Sequence, residues 1–380
     1  MAKVFNATAV CIPEEHYMVN LDERLKKIKT LIDEGKYFTI NQARQYGKTT
    51  TLMALEHYLQ KDYHVVSMDF QTFGSAEFKD ENVFALSFAR VFLRIFKHNL
   101  LAVNDSLKIS MEELQKNITD RSPYFTMLPL FEILSDICGS ADKPVVLMID
   151  EIDSAANNEV FLDFLAQLRA YYIRRMKQPA FWSVILAGVY DVKNLKRKLR
   201  PEDEHKVNSP WNIAADFNVE MSFLKDEIAG MLREYEEEYH TGMDIDEMAG
   251  LLYDYTSGYP FLVSRLCKLM DEEVGKKESF PSKSAAWTKN GFYEAVRMLL
   301  AEKNTLFESL IGKLSDYPEL NTMLQSLLFT GKGITYNADE QAIDTAAMFG
   351  FIKNQGGMAV IANRIFETRL YNFYLSTANM

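Results

Sequence analysis

The chain has 380 residues, enough for two or three domains, and its 48% hydrophobic and 25% charged content is that of a globular protein. No apolar run approaches the ~20 residues of a membrane-spanning helix and no signal-like segment opens the chain, so a cytoplasmic protein with no membrane partner is expected. A net charge of -11 argues against broad nucleic-acid affinity, and three scattered cysteines with six unclustered histidines exclude a disulfide framework and a zinc site.

The first strong element is Lys36-Tyr37-Phe38-Thr39-Ile40, aromatic and β-branched as a strand should be. The loop after it runs Asn41, Gln42, Ala43, Arg44, Gln45, Tyr46, Gly47, Lys48, Thr49, Thr50, and Leu52, Leu55 and Leu59 then recur at helical spacing. Strand, Gly-Lys-Thr loop and helix start together form a phosphate cradle. Backbone N–H groups at the helix N-terminus face an anion, Lys48 reaches the β- and γ-phosphates, and the Thr49 hydroxyl ligates Mg²⁺. The usual pattern G-x-x-x-x-G-K-[ST] has a glycine where this chain has Gln42. Taken alone, the loop could equally be an ordinary strand-to-helix turn carrying a surface lysine.

A strand at 65–70 follows, then a helix at 82–99, a helical insertion near 107–121 and a helix at 122–137. Lys143-Pro144-Val145-Val146-Leu147-Met148-Ile149-Asp150-Glu151 is a continuous apolar run ending in two carboxylates. Such a run is what a parallel strand buried on both faces looks like, and ligands of open α/β sheets lie at the carboxyl ends of the strands. Asp150 is then a holder of Mg²⁺ through its water shell, and Glu151 orients and deprotonates the attacking water. A helix at 159–177 and a strand at 181–187 continue the βα alternation, which implies a mostly parallel sheet with right-handed crossovers.

After a further strand signal at 217–221, the pattern from 224 to 274 is helical, broken at Thr256-Ser257-Gly258-Tyr259-Pro260. Its Glu234 to Glu238 run reads as a solvated helix face. Helices are expected at 292–314, 319–329 and 339–349. Asn354-Gln355-Gly356-Gly357 is a hairpin-turn sequence between strands at 351–353 and 358–361. Helix, helix, then β-hairpin is the order of a winged helix.

Four segments together resemble a known family: Asn41 to Thr49, Leu147-Met148-Ile149-Asp150-Glu151, Ile185-Leu186-Ala187-Gly188-Val189, and Thr256-Ser257-Gly258-Tyr259-Pro260. They are similar to bacterial AAA-like domain P-loop ATPases, which are related to AAA+, signal-transduction and origin-recognition-type ATPases. The resemblance implies a P-loop core at 1–221, a helical lid at 222–295 and a winged-helix-like domain at 296–380. Gln42 departs from the general P-loop but not from these relatives. Pro260 would begin the lid helix over the nucleotide, although a plain helix–helix turn explains Gly258-Tyr259-Pro260 as well. Arg265 stands where relatives place a nucleotide-sensing arginine. Tyr17 would stack on adenine or simply pack in a core. Ala187-Gly188 lacks the polar side chain that usually senses the γ-phosphate. Arg174, Arg175 and Arg200 are candidates for an arginine acting on a neighbouring subunit, but basic residues at a helix end also complement its dipole. The Lys193 to Arg200 run could contact nucleic acid, an acidic partner or phosphates, with a solvated helix face as the default reading.

The expected function is an ATP- and Mg²⁺-dependent hydrolase, a switch whose lid closure moves the winged-helix module against an unidentified protein partner. Nucleotide-dependent oligomerisation is also implied. A DNA-binding ATPase is the alternative. It is less favoured, because the recognition-helix candidate Ala338-Asp339-Glu340-Gln341-Ala342-Ile343-Asp344-Thr345-Ala346-Ala347 is acidic where DNA readers carry basic or amide side chains. A P-loop small-molecule kinase is weaker still, with no acceptor site evident.

Overall fold

The computed structural model describes residues 2–100, 103–190 and 211–378. The Lys193 to Arg200 run, with Arg200, lies outside the described residues. The chain divides into two compact units. One comprises Met1–Asp22, Gln42–Thr50 and Glu220–Met380, the other Glu23–Asn41 and Thr51–Val219.

The second unit is built on a four-stranded sheet. Its strands are β1 (Tyr37–Asn41), β2 (His64–Asp69), β3 (Val145–Asp150) and β4 (Ser183–Gly188), in the order β1-β4-β3-β2. All pairings are parallel, with Phe38 opposite Ile185, Leu147 opposite Val184 and Val66 opposite Leu147. Every residue of β3 and β4 is buried, which is why both read as unbroken apolar runs rather than alternating ones. The covering helices are α1 (Asp22–Asp33), α2 (Lys48–Leu59), α3 (Glu81–His98), α4 (Asp105–Asp120), α5 (Met127–Ser140) and α6 (Glu159–Arg174). On α3, Phe84, Phe88, Phe92 and Phe96 recur every fourth residue, so one face is a stack of buried rings with centroids 5.4–6.3 Å apart. Helix α4 is the expected insertion.

The expected strand at 217–221 is absent. Only Ala215 bridges to β1, donating its N–H to Tyr37 O at 2.8 Å, and Phe217 stacks flat on Phe38 at 5.7 Å. The alternating Phe217, Val219 and Met221 are satisfied by an extended segment without a ladder.

In the first unit, helices α7 (Lys225–Tyr239), α8 (Ile245–Thr256), α9 (Pro260–Glu272), α10 (Lys283–Ala286), α11 (Lys289–Ala301), α12 (Thr305–Asp316) and α13 (Pro318–Phe329) follow one another. After them come β5 (Ile334–Thr335), α14 (Gln341–Met348), β6 (Ile352–Gln355), β7 (Met358–Ile361) and α15 (Arg364–Ala378). The strands form an antiparallel sheet in the order β5-β7-β6. Gly356 and Gly357 both take positive φ in the β6–β7 turn, and Asn354 Oδ1 accepts the Gly357 N–H at 2.9 Å. The single helix expected at 292–314 is two, because Asn304 accepts the Phe307 N–H and starts α12 afresh.

The Glu234 to Glu238 run is more than a solvated face. Glu234 pairs with Lys3, Glu238 accepts the Tyr17 hydroxyl, and Glu236 accepts the N–H groups of Thr241 and Gly242. Acidic side chains here hold the amino-terminal segment and end α7. Among the described residues, no helix is long and apolar enough to cross a membrane.

Candidate active site

Sequence dictates the shape of the Gly-Lys-Thr loop. Gln45 and Gly47 take φ of 56° and 75°, whereas Arg44, Tyr46 and Lys48 are not among the residues of positive φ. Such alternation is how backbone builds a concave nest for an anion, and here it leads directly into the first turn of α2. Gln42 is likewise absent from the positive-φ residues, so glycine's freedom is not required at that position. Lys48 is 7% exposed, and its Nζ donates to Gln42 O at 2.9 Å and Ala43 O at 3.0 Å. A buried ammonium curled inside a ring of amides is a donor set that suits phosphate oxygens. Thr49 follows on the exposed side of the first turn of α2, and Thr50 Oγ1 accepts the Cys11 N–H at 3.3 Å.

Residues far downstream grip this loop. The Tyr259 hydroxyl donates to Arg44 O, and the Tyr259 ring meets Tyr46 edge-on at 4.5 Å. The Tyr46 hydroxyl bonds Ser222 Oγ at 2.8 Å, and Gln45 Nε2 donates to Thr305 Oγ1 at 3.0 Å. Gly350 backs onto Ala43 so closely that a Cβ at Gly350 would lie 2.9 Å from the Ala43 Cβ. Burial drives the Tyr259 and Tyr46 phenols above their ordinary pKa, with the nearby Glu220 carboxylate adding to the rise at Tyr46, so both stay neutral.

Tyr259 is held by its own turn. Ser257 and Gly258 both take positive φ, and a Cβ on Gly258 would lie 2.0 Å from Phe223 O. Only glycine fits so close an approach. Phe223 N–H donates to Gly258 O at 2.7 Å, and Pro260 opens α9. One turn along, Arg265 is engaged by Glu302 at 2.5 Å.

The carboxylate pair lies at the end of β3. Asp150 is 7% exposed, and its Oδ1 accepts the Glu151 N–H at 2.8 Å. Glu151 itself is left-handed, with φ 51° and ψ 42°, and caps the short 3₁₀ turn Ile152–Ser154. A non-glycine residue held there costs on the order of 1–3 kcal/mol, the kind of strain that collects at functional sites. Asp153, on that turn, accepts the N–H groups of Val189 and Tyr190 at 2.8 and 2.9 Å.

Tyr17 is 2% exposed and packs against Phe5 and Tyr235 at 4.9 and 5.2 Å, with its hydroxyl on Glu238. Of the two readings of Tyr17, this is the core-packing one. Arg175 stacks on Tyr172 at 4.1 Å and donates to Gly35 O, while Arg174 is exposed. Sequence reasoning passed over Ser222, Thr305, Gly350 and Asp153. Asp153 carries a local signal, its spacing in Asp150-Glu151-Ile152-Asp153. Thr305 and Gly350 carry none.

A parallel sheet with a Gly-Lys-Thr loop after one strand and Asp-Glu after another defines a P-loop ATPase fold. A family model described as the AAA-like domain matches residues 9–377, and the chain belongs to that family. The Walker-type ATPase PABY2304 of Pyrococcus abyssi has a similar structure over 97% of this chain and 99% of that one, with a TM-score of 0.63 at 13% identity. At that identity the likeness concerns fold alone. The ORC2 protein of Aeropyrum pernix, solved in ADPNP–ADP complexes, covers 99% of this chain and 98% of its own at a TM-score of 0.44 and 12% identity, too loose to argue from. In sequence, the uncharacterised WD repeat-containing protein slr0143 of Synechocystis is 25% identical over 253 residues, 64% of this chain. The match spans 19% of that protein's length.

Proposed function

We propose that this protein is a Mg²⁺-dependent ATPase working as a nucleotide-driven switch. One observation carries the reading: the phosphate loop is gripped by Ser222, Tyr259, Thr305 and Gly350, residues spread over the carboxyl-terminal part of the chain. A loop that rearranges around phosphate would pull on all four contacts. In this reading 222–295 is the lid and 296–380 the winged-helix-like module that the loop moves, against a protein partner.

The residues fit the nucleotide by their donor chemistry. The loop amides from Gln42 to Thr50 would cradle phosphate, Lys48 would trade its loop carbonyls for phosphate oxygens, and the Thr49 hydroxyl and the Asp150 carboxylate would each offer an oxygen to the metal. Magnesium, when bound, neutralises phosphate charge. Glu151 then takes a proton from the attacking water onto its carboxylate. The helix α14, Gln-Ala-Ile-Asp-Thr-Ala-Ala-Met, contains no basic residue, which favours a protein surface over DNA as the module's partner.

Deuterium exchange of the full chain with and without ATP tests the switch. Altered protection at 341–361 on binding supports it, and protection changes confined to the loop would reject it. Steeply salt-dependent binding to duplex DNA would instead restore the DNA reading.

A further inference from the structure

We infer that Asp153 is a positioning residue, locking the Glu151 turn to the chain leaving β4. The inference rests on the reading of Glu151 as the base. Strands β3 and β4 run parallel side by side, Leu147 opposite Val184 and Ile149 opposite Leu186, so their ends emerge together. Asp153 closes the gap between them. Its Oδ2 accepts from Val189 N–H at 2.8 Å and its Oδ1 from Tyr190 N–H at 2.9 Å, one carboxylate spanning two successive amides.

Gly188 is fitted to that carboxylate. A Cβ on Gly188 would lie 2.9 Å from Asp153 Oδ1 and 2.6 Å from Ile152 Cγ1. Glycine is needed here for space, since Gly188 is not among the glycines of positive φ. The missing polar side chain at Ala187-Gly188 thus has a physical reason: Asp153 reaches that place from the 3₁₀ turn that follows the neighbouring strand.

The consequence falls on Glu151. It stands two residues before Asp153 in a turn closed by Ser154 N–H on Glu151 O at 3.1 Å and Ala155 N–H on Ile152 O at 3.0 Å. Pinning Asp153 from β4 fixes the direction in which the chain leaves β3, and with it the left-handed backbone that aims Glu151. Without the pin, the turn relaxes toward ordinary φ and carries the Glu151 carboxylate away. A misplacement of about 1 Å can cost on the order of 100-fold in rate.

The test compares Asp153→Ala, Asp153→Asn and Gly188→Ala in the full chain. It reads ATP affinity by fluorescence titration, steady-state turnover, and deuterium exchange of peptides covering 150–156 and 183–190. Asp153→Ala should lower kcat on the order of 10- to 100-fold while leaving ATP affinity unchanged. Asp153→Asn, which keeps one acceptor, should fall between. Gly188→Ala should match Asp153→Ala, and the double variant should lose no more than either.

A merely structural Asp153 would lower the melting temperature and leave kcat of the folded variant intact, and that result overturns the proposal. Faster exchange confined to 183–190, with the Glu151 turn unchanged, overturns it too. If the wild-type chain binds ATP but does not turn it over, the Glu151 reading is what fails. Exchange at 150–156 in Asp153→Ala then decides the positioning role, acceleration supporting it and no change rejecting it.

Discussion

The Gly-Lys-Thr loop and the Asp150-Glu151 turn both follow strands of one parallel sheet, yet they are restrained in opposite ways. The loop is held from afar. Tyr259 lies 215 residues from Arg44, and Thr305 lies 260 from Gln45, each joined by a single hydrogen bond. The turn is held from next door, by Asp153 on the amides that leave the adjacent strand. Single neutral hydrogen bonds contribute about 1 kcal/mol each, so the loop's restraints can exchange, whereas a carboxylate on two amides is stiffer. In the proposed switch, these restraints make the loop the part expected to move and the turn the part expected to stay fixed.

That contrast is broken most directly at Lys48. Lys48→Ala should abolish ATP binding, and calorimetric titration that still finds micromolar affinity would remove the loop from the site. Glu151→Gln should do the reverse, keeping affinity while turnover falls on the order of 10²- to 10⁴-fold. Unchanged turnover would take Glu151 out of the base role and leave the stiff turn without a catalytic purpose.

A subtler variant asks whether the grip transmits anything. Tyr259→Phe deletes the hydroxyl bond to Arg44 O and keeps the ring against Tyr46 and Phe366. About 1 kcal/mol corresponds to roughly a fivefold change in affinity, so binding should move by no more than that. The nucleotide-dependent protection at 341–361 should shrink at the same time. Undiminished protection would mean that Tyr259 packs without transmitting.

What could be read from the sequence divides along the same line. The strand before the loop, the buried Val145 to Asp150 run and the Gly356-Gly357 turn were legible, because each is decided by residues within a few positions. Gln42 looked like a defect until the backbone revealed no left-handed residue there. The expected strand at 217–221 failed because alternation marks a half-buried extended chain, and only pairing makes it a strand. The break before α12 was marked by Asn304 alone, too common a residue to outweigh the helical pattern on both sides. The grip on the loop was illegible for a plainer reason: nothing near Thr305 or Gly350 encodes a partner more than two hundred residues away. Whatever sits next to the loop by folding, and not by chain order, had to be seen.

The smallest effect expected concerns α11, a helix that supplies none of the grip. Glu294 on α11 meets Arg297 at 2.5 Å and also pairs with Lys277, and these two cations hold its carboxyl down at about 2. A carboxylate depressed in the fold stabilises above its unfolded pKa and loses that contribution as pH falls through the folded value. The stabilisation from Glu294 should therefore be complete above about pH 5 and decline between the ordinary glutamate pKa near 4.3 and about 2. Glu294→Gln should lower the melting temperature by a few degrees at pH 7, and the gap to the unmodified chain should close as the pH approaches 2. Arg297 is well exposed, so added salt should narrow the same gap at neutral pH. Calorimetry across that range settles it, since a gap independent of pH and salt would trace the loss to packing instead of charge. Because Glu294 touches neither the loop nor the turn, ATP affinity and turnover at neutral pH should stay as they were. If they shift with it, the loop responds to α11 through more than the contacts named here, and its restraint is broader than a set of single bonds.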